Sequence, residues 1–219
     1  MSYSTLFFDL DDTLYPNSTG LWKAIRERMG QYMVERLGLP ADQVPDIRRH
    51  YFTTYGTTLR GLQRFYQVDA DEYLAYVHDL PLESYIQPEP GLSELLSSLP
   101  QRRFIFTNAD RDHARRVLAT LQLTECFEAI IDVRAIEFAC KPEKIAFERA
   151  LQLAGGPAPQ TCMLLDDSPS NLSGAQQLGF TTVLVGQADG PLHDPGLPAP
   201  DFCVSSLMQL PAALPDLWR

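Results

Sequence analysis

Four short stretches of this 219-residue chain place carboxylate, hydroxyl, amide and amine groups directly after apolar runs or beside a proline. Asp9-Leu10-Asp11-Asp12-Thr13-Leu14 follows YSTLFF, Thr107-Asn108 follows RFIF, Lys141 stands in Cys140-Lys141-Pro142, and Asp166-Asp167-Ser168 closes CMLL. Carboxylates that converge at strand ends repel one another unless a cation holds them, and an all-oxygen set of this kind suits Mg²⁺. A carboxylate, ionised at neutral pH, can also attack phosphorus and form an acyl phosphate that water later cleaves. An anionic nucleophile approaching an anionic phosphoryl group needs positive charge beside it, from the metal and from one lysine, for which Lys141 is the candidate. A hydroxyl and backbone N–H groups at the Thr107-Asn108 turn could hold the remaining oxygens at a helix start. Asp11, two residues after Asp9, has the position to protonate a leaving oxygen and then deprotonate the attacking water.

Each stretch alone also has a bland reading. The acidic loop can be a solvated turn, Thr107-Asn108 a helix start, Lys141 a surface residue and Asp167-Ser168 a helix cap. The elements that would carry them decide the matter. YSTLFFD reads as a buried strand, and RFIFT (103–107), AIIDV (129–133), CMLLD (162–166) and TTVLV (181–185) as further strands, with helices expected near 111–121, 143–153 and 169–178. Such alternation predicts an α/β fold, a mainly parallel Rossmann-like sheet with helices on both faces, in which ligands sit outside the carboxyl ends of the strands. All four stretches fall at such ends. Residues 16–87 carry helical periodicity without strand alternation, with Ser18 or Thr19 available to cap the first helix and Gly38 to end it. They predict a helical domain inserted into a core made of 1–15 and 88–219, with Gln87-Pro88-Glu89-Pro90-Gly91 as the return linker. The Pro- and Gly-rich stretch from Gly186 to Asp201 reads as a surface loop.

Formal charge of −10 argues against a nucleic-acid polymer as partner, because backbone binding needs clustered Lys and Arg. A small anionic substrate remains compatible, given local positive charge. No apolar run approaches 18 residues and no leader-like stretch opens the chain, which points to a cytoplasmic protein without membrane association. Cys126, Cys140, Cys162 and Cys203 lack zinc-site spacing and read as buried thiols, while His50, His78, His113 and His193 lack ligand or triad spacing and read as structural. Neither G-x-S-x-G nor a Walker-type lysine loop occurs.

Taken in order, the acidic stretch at Asp9, Thr107, Lys141 and Asp166-Asp167 resemble the four motifs of haloacid-dehalogenase-like hydrolases, and the helical insert resembles that family's cap. Within the family the chain is most similar to fungal-type pyrimidine 5′-nucleotidases, through Leu14-Tyr15-Pro16, Tyr55-Gly56 with Leu59-Arg60-Gly61-Leu62, Thr107-Asn108-Ala109 with His113-Ala114, and Lys141-Pro142 with Ala146-Phe147-Glu148. The resemblance implies an Mg²⁺-dependent phosphatase acting through an aspartyl-phosphate. Asp9 is then nucleophile and metal ligand, and Asp11 general acid/base with its backbone carbonyl on the metal. Asp166 and Asp167 are the other ligands, Thr107, Asn108 and Lys141 bind the phosphoryl group, and Asp12 has no catalytic part. Tyr55 and Arg60 are the candidates to meet sugar or base of a nucleoside monophosphate. The alternatives are a phosphatase or phosphomutase for sugar phosphates or phosphoglycolate, a 2-haloacid dehalogenase, or a phosphorylatable receiver. The last places its acceptor on a middle strand, and the dehalogenase needs neither metal nor an acid two residues after the nucleophile.

Overall fold

The computed structural model describes residues 3–186 and 196–218. Residues 187–195, including His193 and most of the stretch read as a surface loop, lie outside the described residues. By internal contacts the chain divides into two units, Met1–Ser18 with Ile86–Arg219, and Thr19–Tyr85.

The first unit is built on six parallel strands: β1 (Thr5–Phe8), β2 (Arg102–Phe106), β3 (Ala129–Ile131), β4 (Cys162–Asp166), β5 (Thr181–Val185) and β6 (Phe202–Val204). Their order is β3-β2-β1-β4-β5-β6, every neighbouring pair parallel. The α/β expectation holds, and β1 lies in the middle with Phe8 level with Ile105 on one side and Leu165 on the other. All four residues of β1 and all five of β4 are buried, which is why these strands read as unbroken apolar runs rather than alternating ones. Strand β6 lies in the stretch after the Pro-rich loop, where the sequence carried no strand signal. The third strand is shorter than expected, because Asp132 leaves the ladder to accept hydrogen bonds from the Arg111 and Ala135 amides at 3.0 and 3.1 Å.

Helices of this unit are α5 (Leu92–Ser97), α6 (Arg111–Thr120), α7 (Lys144–Leu153), α8 (Pro169–Gln176) and α9 (Leu210–Ala213). Phe7 anchors the packing between sheet and helices, its ring 5.8 Å from both Phe104 and Phe180, with Phe147 of α7 continuing the cluster to Phe106 at 5.5 Å. Cys126, Cys140 and Cys162 are buried free thiols as expected, but Cys203 is exposed. The middle position of the short β6 turns it outward, away from the buried Val204.

The second unit is helical: α1 (Leu21–Glu35), α2 (Val44–Tyr55), α3 (Thr58–Tyr66) and α4 (Ala70–His78). Neither Ser18 nor Thr19 is the residue that caps α1; Gly20 holds that place at φ 80°, with the Thr19 hydroxyl accepting from the Leu21 amide at 3.4 Å. Gly38, at φ 66°, closes the far end by donating to the Val34 carbonyl. Helices α1 and α4 meet through the edge-to-face pair Tyr32–Tyr73, centroids 5.0 Å apart. Helices α2 and α3 approach so closely that a Cβ on Gly61 would come within 2.6 Å of three Tyr51 atoms. Among the described residues no helix is long and apolar enough to cross a membrane.

One packing detail bears on the site. A Cβ added to Gly174 of α8 would stand 2.5 Å from the Pro142 carbonyl and 3.0 Å from Phe147, so α8 lies directly on the loop that carries Lys141. Gly174→Ala is therefore expected to destabilise the protein by about 1–3 kcal/mol, the usual range for overpacking. A denaturant midpoint equal to that of the parent would show that this contact yields freely.

Candidate active site

Asp9 follows β1, and its amide donates to the Leu165 carbonyl at 2.9 Å, which continues the parallel ladder one step past the strand. Asp166 ends the neighbouring strand β4. Parallel order therefore brings the two carboxylates to one end of the sheet. Between them lies Lys141, 1% exposed, its Nζ donating to Asp9 Oδ1 and Asp166 Oδ2 at 2.7 Å each. The ammonium also sits 5.1 Å from the centre of the Phe106 ring.

The lysine loop is held by Asn108. Its amide nitrogen donates to the Lys141 carbonyl at 3.0 Å, and its amide oxygen accepts from the Lys141 N–H at 2.9 Å. Both ends of the Asn108 side chain are thus engaged by the lysine's backbone. Thr107 is buried, and its hydroxyl oxygen accepts from the Ala109 amide at 3.0 Å while retaining its O–H as a donor.

Asp166 is further fixed by the Ser168 amide on Oδ1 at 2.9 Å and by the Asn171 amide on both oxygens, at 3.0 and 3.2 Å. Ser168 also caps α8, accepting from the Asn171 amide. Asp166 thus serves as much to position Lys141 and the start of α8 as to face the site. Oxygen atoms of Asp9, Asp166 and Asp167 all lie within 4.8 Å of one another, an all-carboxylate set that fits a hard divalent cation such as Mg²⁺.

Charge in this cluster is unbalanced. Burial pushes the Asp9 carboxyl up to about 7; Lys141 opposes the shift, and Asp166 and Asp11 add to it. Asp167 is pushed up to about 9, by burial first and then by the negative charges of Asp166, Asp9 and Asp12. Burial works to lower Lys141, but Asp166 and Asp9 outweigh it and hold the ammonium charged. Asp12, at φ 62°, is buried and accepts from the Asn17 side-chain amide, so it belongs to the acidic cluster electrostatically.

Asp11 Oδ1 accepts from the Tyr15 hydroxyl at 2.5 Å and lies 2.9 Å from His113 Nε2. Burial, with Asp11 beside it, keeps the Tyr15 phenol well above its ordinary range. In the sequence, Tyr15 and His113 stand out only among the residues shared with pyrimidine 5′-nucleotidases, with no role at the acid, and Asn171 not at all. Tyr15 is four residues after Asp11, whereas His113 comes from 102 residues away, a separation that spacing does not bridge.

Asp9, Asp11, Thr107, Asn108, Lys141, Asp166 and Asp167 all lie at or just beyond the carboxyl ends of the first unit's strands, or in the loop before α7. Tyr55 and Arg60 belong to the helical unit. Tyr55 ends α2, its ring 5.9 Å from Phe65 and 5.7 Å from the Arg64 guanidinium. Arg60, in the first turn of α3, donates its amide to the Thr57 hydroxyl at 3.3 Å.

Residues 3–179 match the haloacid dehalogenase-like hydrolase family, and the chain belongs to that family. It is 30% identical over 192 residues to Phosphate metabolism protein 8 of Saccharomyces cerevisiae, an alignment covering 81% of this chain and 60% of the yeast protein. The chain thus spans about 60% of the length of that relative. Two solved structures share its fold. The magnesium-bound HAD-hydrolase YfnB of Bacillus subtilis has a TM-score of 0.66 at 19% identity, covering 97% of this chain and 98% of that one. L-2-haloacid dehalogenase of Xanthobacter autotrophicus has 0.63 at 18%, covering 96% and 97%.

The raised Asp167 yields a prediction independent of turnover. Because its folded-state value lies above the ordinary 3.8, folding favours the protonated form, and the stability this brings is present below the ordinary value and lost as pH rises toward about 9. In chelator, Asp167→Asn should therefore melt a few degrees above the parent at neutral and alkaline pH, with the gap closing in acid, and Mg²⁺ should stabilise the parent more than the variant. A variant that melts below the parent at alkaline pH would contradict this electrostatic picture.

Proposed function

We propose that the protein is an Mg²⁺-dependent phosphomonoesterase that transfers the phosphoryl group to Asp9 and then to water, with pyrimidine nucleoside 5′-monophosphates as preferred substrates. The observation that carries the reading is the buried Lys141 ammonium 2.7 Å from both Asp9 and Asp166, beside a third carboxylate in Asp167. An ammonium so placed both restrains the nucleophile and offsets the charge of an incoming phosphoryl group.

In this reading an Asp9 oxygen attacks phosphorus as the bond to the ester oxygen breaks, and Asp11 gives its proton to that departing oxygen. Water then attacks the phosphorus of the aspartyl-phosphate, passes a proton to Asp11, and the bond to Asp9 breaks to release inorganic phosphate. The Thr107 hydroxyl and the backbone N–H groups of the Thr107-Asn108 turn hold the non-bridging oxygens. Asp9, Asp166 and Asp167, with the Asp11 backbone carbonyl, would hold Mg²⁺. When bound, the ion supplies positive charge that screens nucleophile from phosphate and stabilises charge on the transferring group. Asp11 favours phosphorus over carbon as the target, because displacement of halide requires no proton donor.

In this reading the helical unit is the counterpart of the family's cap, and Tyr55 and Arg60 are its candidates to meet sugar or base. Support for a nucleotide comes from the cap residues shared with pyrimidine 5′-nucleotidases, and support for phosphate chemistry from the name of the yeast relative. A purine, being larger, would hold a closed cap partly open, admitting water and misplacing the phosphoryl group. The free thiols fit a reducing compartment, the cytoplasm in this reading.

Asp9→Asn should abolish phosphate release while leaving thermal unfolding cooperative, and chelation should abolish the parent's activity until Mg²⁺ is returned. An active Asp9→Asn, or full activity in excess chelator, would sink the reading, and release of halide from 2-haloacids under chelation would replace it. Substrate preference is read separately, as kcat/KM over nucleotides, hexose phosphates and phosphoglycolate. UMP and CMP should lead. If a sugar phosphate or phosphoglycolate leads by about tenfold, roughly 1.4 kcal/mol of transition-state discrimination, the nucleotide assignment fails while the phosphatase stands.

A further inference from the structure

A general acid works only if its proton is aimed at the leaving oxygen, within hydrogen-bond reach. An aspartate carboxyl left to itself turns freely about its last torsion. In this protein it is not left to itself: the Tyr15 hydroxyl and His113 Nε2 reach the same oxygen of Asp11, Oδ1, at 2.5 and 2.9 Å. The His113 side chain is fully buried, that of Asp11 is 14% exposed, and Tyr15 is buried.

We propose that His113, together with Tyr15, is a positioning residue for proton transfer, holding the Asp11 carboxyl in the orientation from which it protonates the leaving group. The inference rests on the phosphatase reading, because it assigns a task to the acid that reading names. With His113 in the tautomer that carries its proton on Nε2, two donors converge on Oδ1 and define the plane of the carboxyl. They also place the transferable proton on Oδ2, since a proton on Oδ1 would meet the hydrogens of both donors. When Asp11 has given up its proton, the same two bonds stabilise the resulting carboxylate, and charge-assisted bonds of this kind are the stronger ones.

The fold shows why a histidine from so far along the chain can do this. Helix α6 begins just after the Thr107-Asn108 turn, and its start is pinned twice, by Asp110 accepting from the Asp112 amide at 3.2 Å and by Asp132 accepting from the Arg111 amide at 3.0 Å. His113 stands on the first turn of this anchored helix. The segment that holds phosphoryl oxygens and the residue that aims the acid are therefore parts of one rigid strand-to-helix unit. A histidine that merely filled the core would leave the proton-transfer step unaffected.

Leaving groups separate the two roles. A nitrophenyl ester departs without protonation, whereas an alkyl or nucleoside ester needs the acid. With p-nitrophenyl phosphate and UMP as probes, at saturating Mg²⁺, His113→Leu should lower kcat/KM, which reports the transfer to Asp9 and not the later hydrolysis common to both esters, by about tenfold or more for UMP and by less than about threefold for the aryl ester. His113→Gln, which retains a donor of similar reach, should recover much of the loss. Tyr15→Phe removes the other bond to Oδ1 with almost no change in volume and should show the same split, so the test survives if His113→Leu fails to fold. Equal losses on both esters, or none on either, in the folded variants would overturn the positioning role alone. A parent enzyme that releases phosphate from neither ester would instead overturn the phosphatase reading, and this inference with it.

Discussion

One buried ammonium holds the site together. Lys141 bridges Asp9 and Asp166, at the ends of adjacent parallel strands, and two carboxylates each 2.7 Å from one ammonium in the protein interior are tolerable only as a set. Removing one partner of a buried ion pair leaves an uncompensated charge and is typically worth about 3–5 kcal/mol. Much of the surrounding structure keeps that ammonium where it is. Asn108 binds both sides of the lysine's peptide backbone, Asn171 and the Ser168 amide hold Asp166, and Gly174 lets α8 lie flush on the Pro142 carbonyl. The geometry of the site thus depends on groups from separate segments of the first unit that converge on one ammonium and its two carboxylates.

That cation is also too little charge. Asp9 and Asp166 both bind it and Asp167 lies beside them, and burial first, then the neighbouring negative charges, pushes Asp9 up to about 7 and Asp167 up to about 9. A second positive charge would relieve both, and three of these carboxylates have oxygens close enough to share one. The same arithmetic explains how a chain of net charge −10 could accept an anionic substrate: the attraction is local, made by a lysine and a bound cation rather than by a basic surface.

Much of this architecture was legible in the residues. Doubly buried strands appear as LFF and CMLL, helices as 3.6-residue periodicity, and a parallel sheet puts whatever follows those strands at one end. What pattern cannot reveal is which side chains meet across long sequence separations. Asn108 stood out because it follows a strand, but nothing in the spacing showed that its side-chain amide is matched to a backbone 33 residues on. His113 looked like a core histidine because its partner, Asp11, is 102 residues away. Cys203 looked buried because thiols usually are, but its alternate position on a three-residue strand turns it outward. Asp12 was given no catalytic part, and in the structure it is one of the negative charges that raise Asp167.

The central claim is that Asp9, restrained by Lys141, takes the phosphoryl group covalently before water does. The configuration at phosphorus tests it most directly, using a UMP analogue made chiral at phosphorus by oxygen isotopes and sulfur, hydrolysed in isotopically labelled water. Two successive in-line displacements, first by Asp9 and then by water, predict overall retention. Inversion would mean that water attacks the substrate in a single step, and would contradict the account even if every residue named here proved essential.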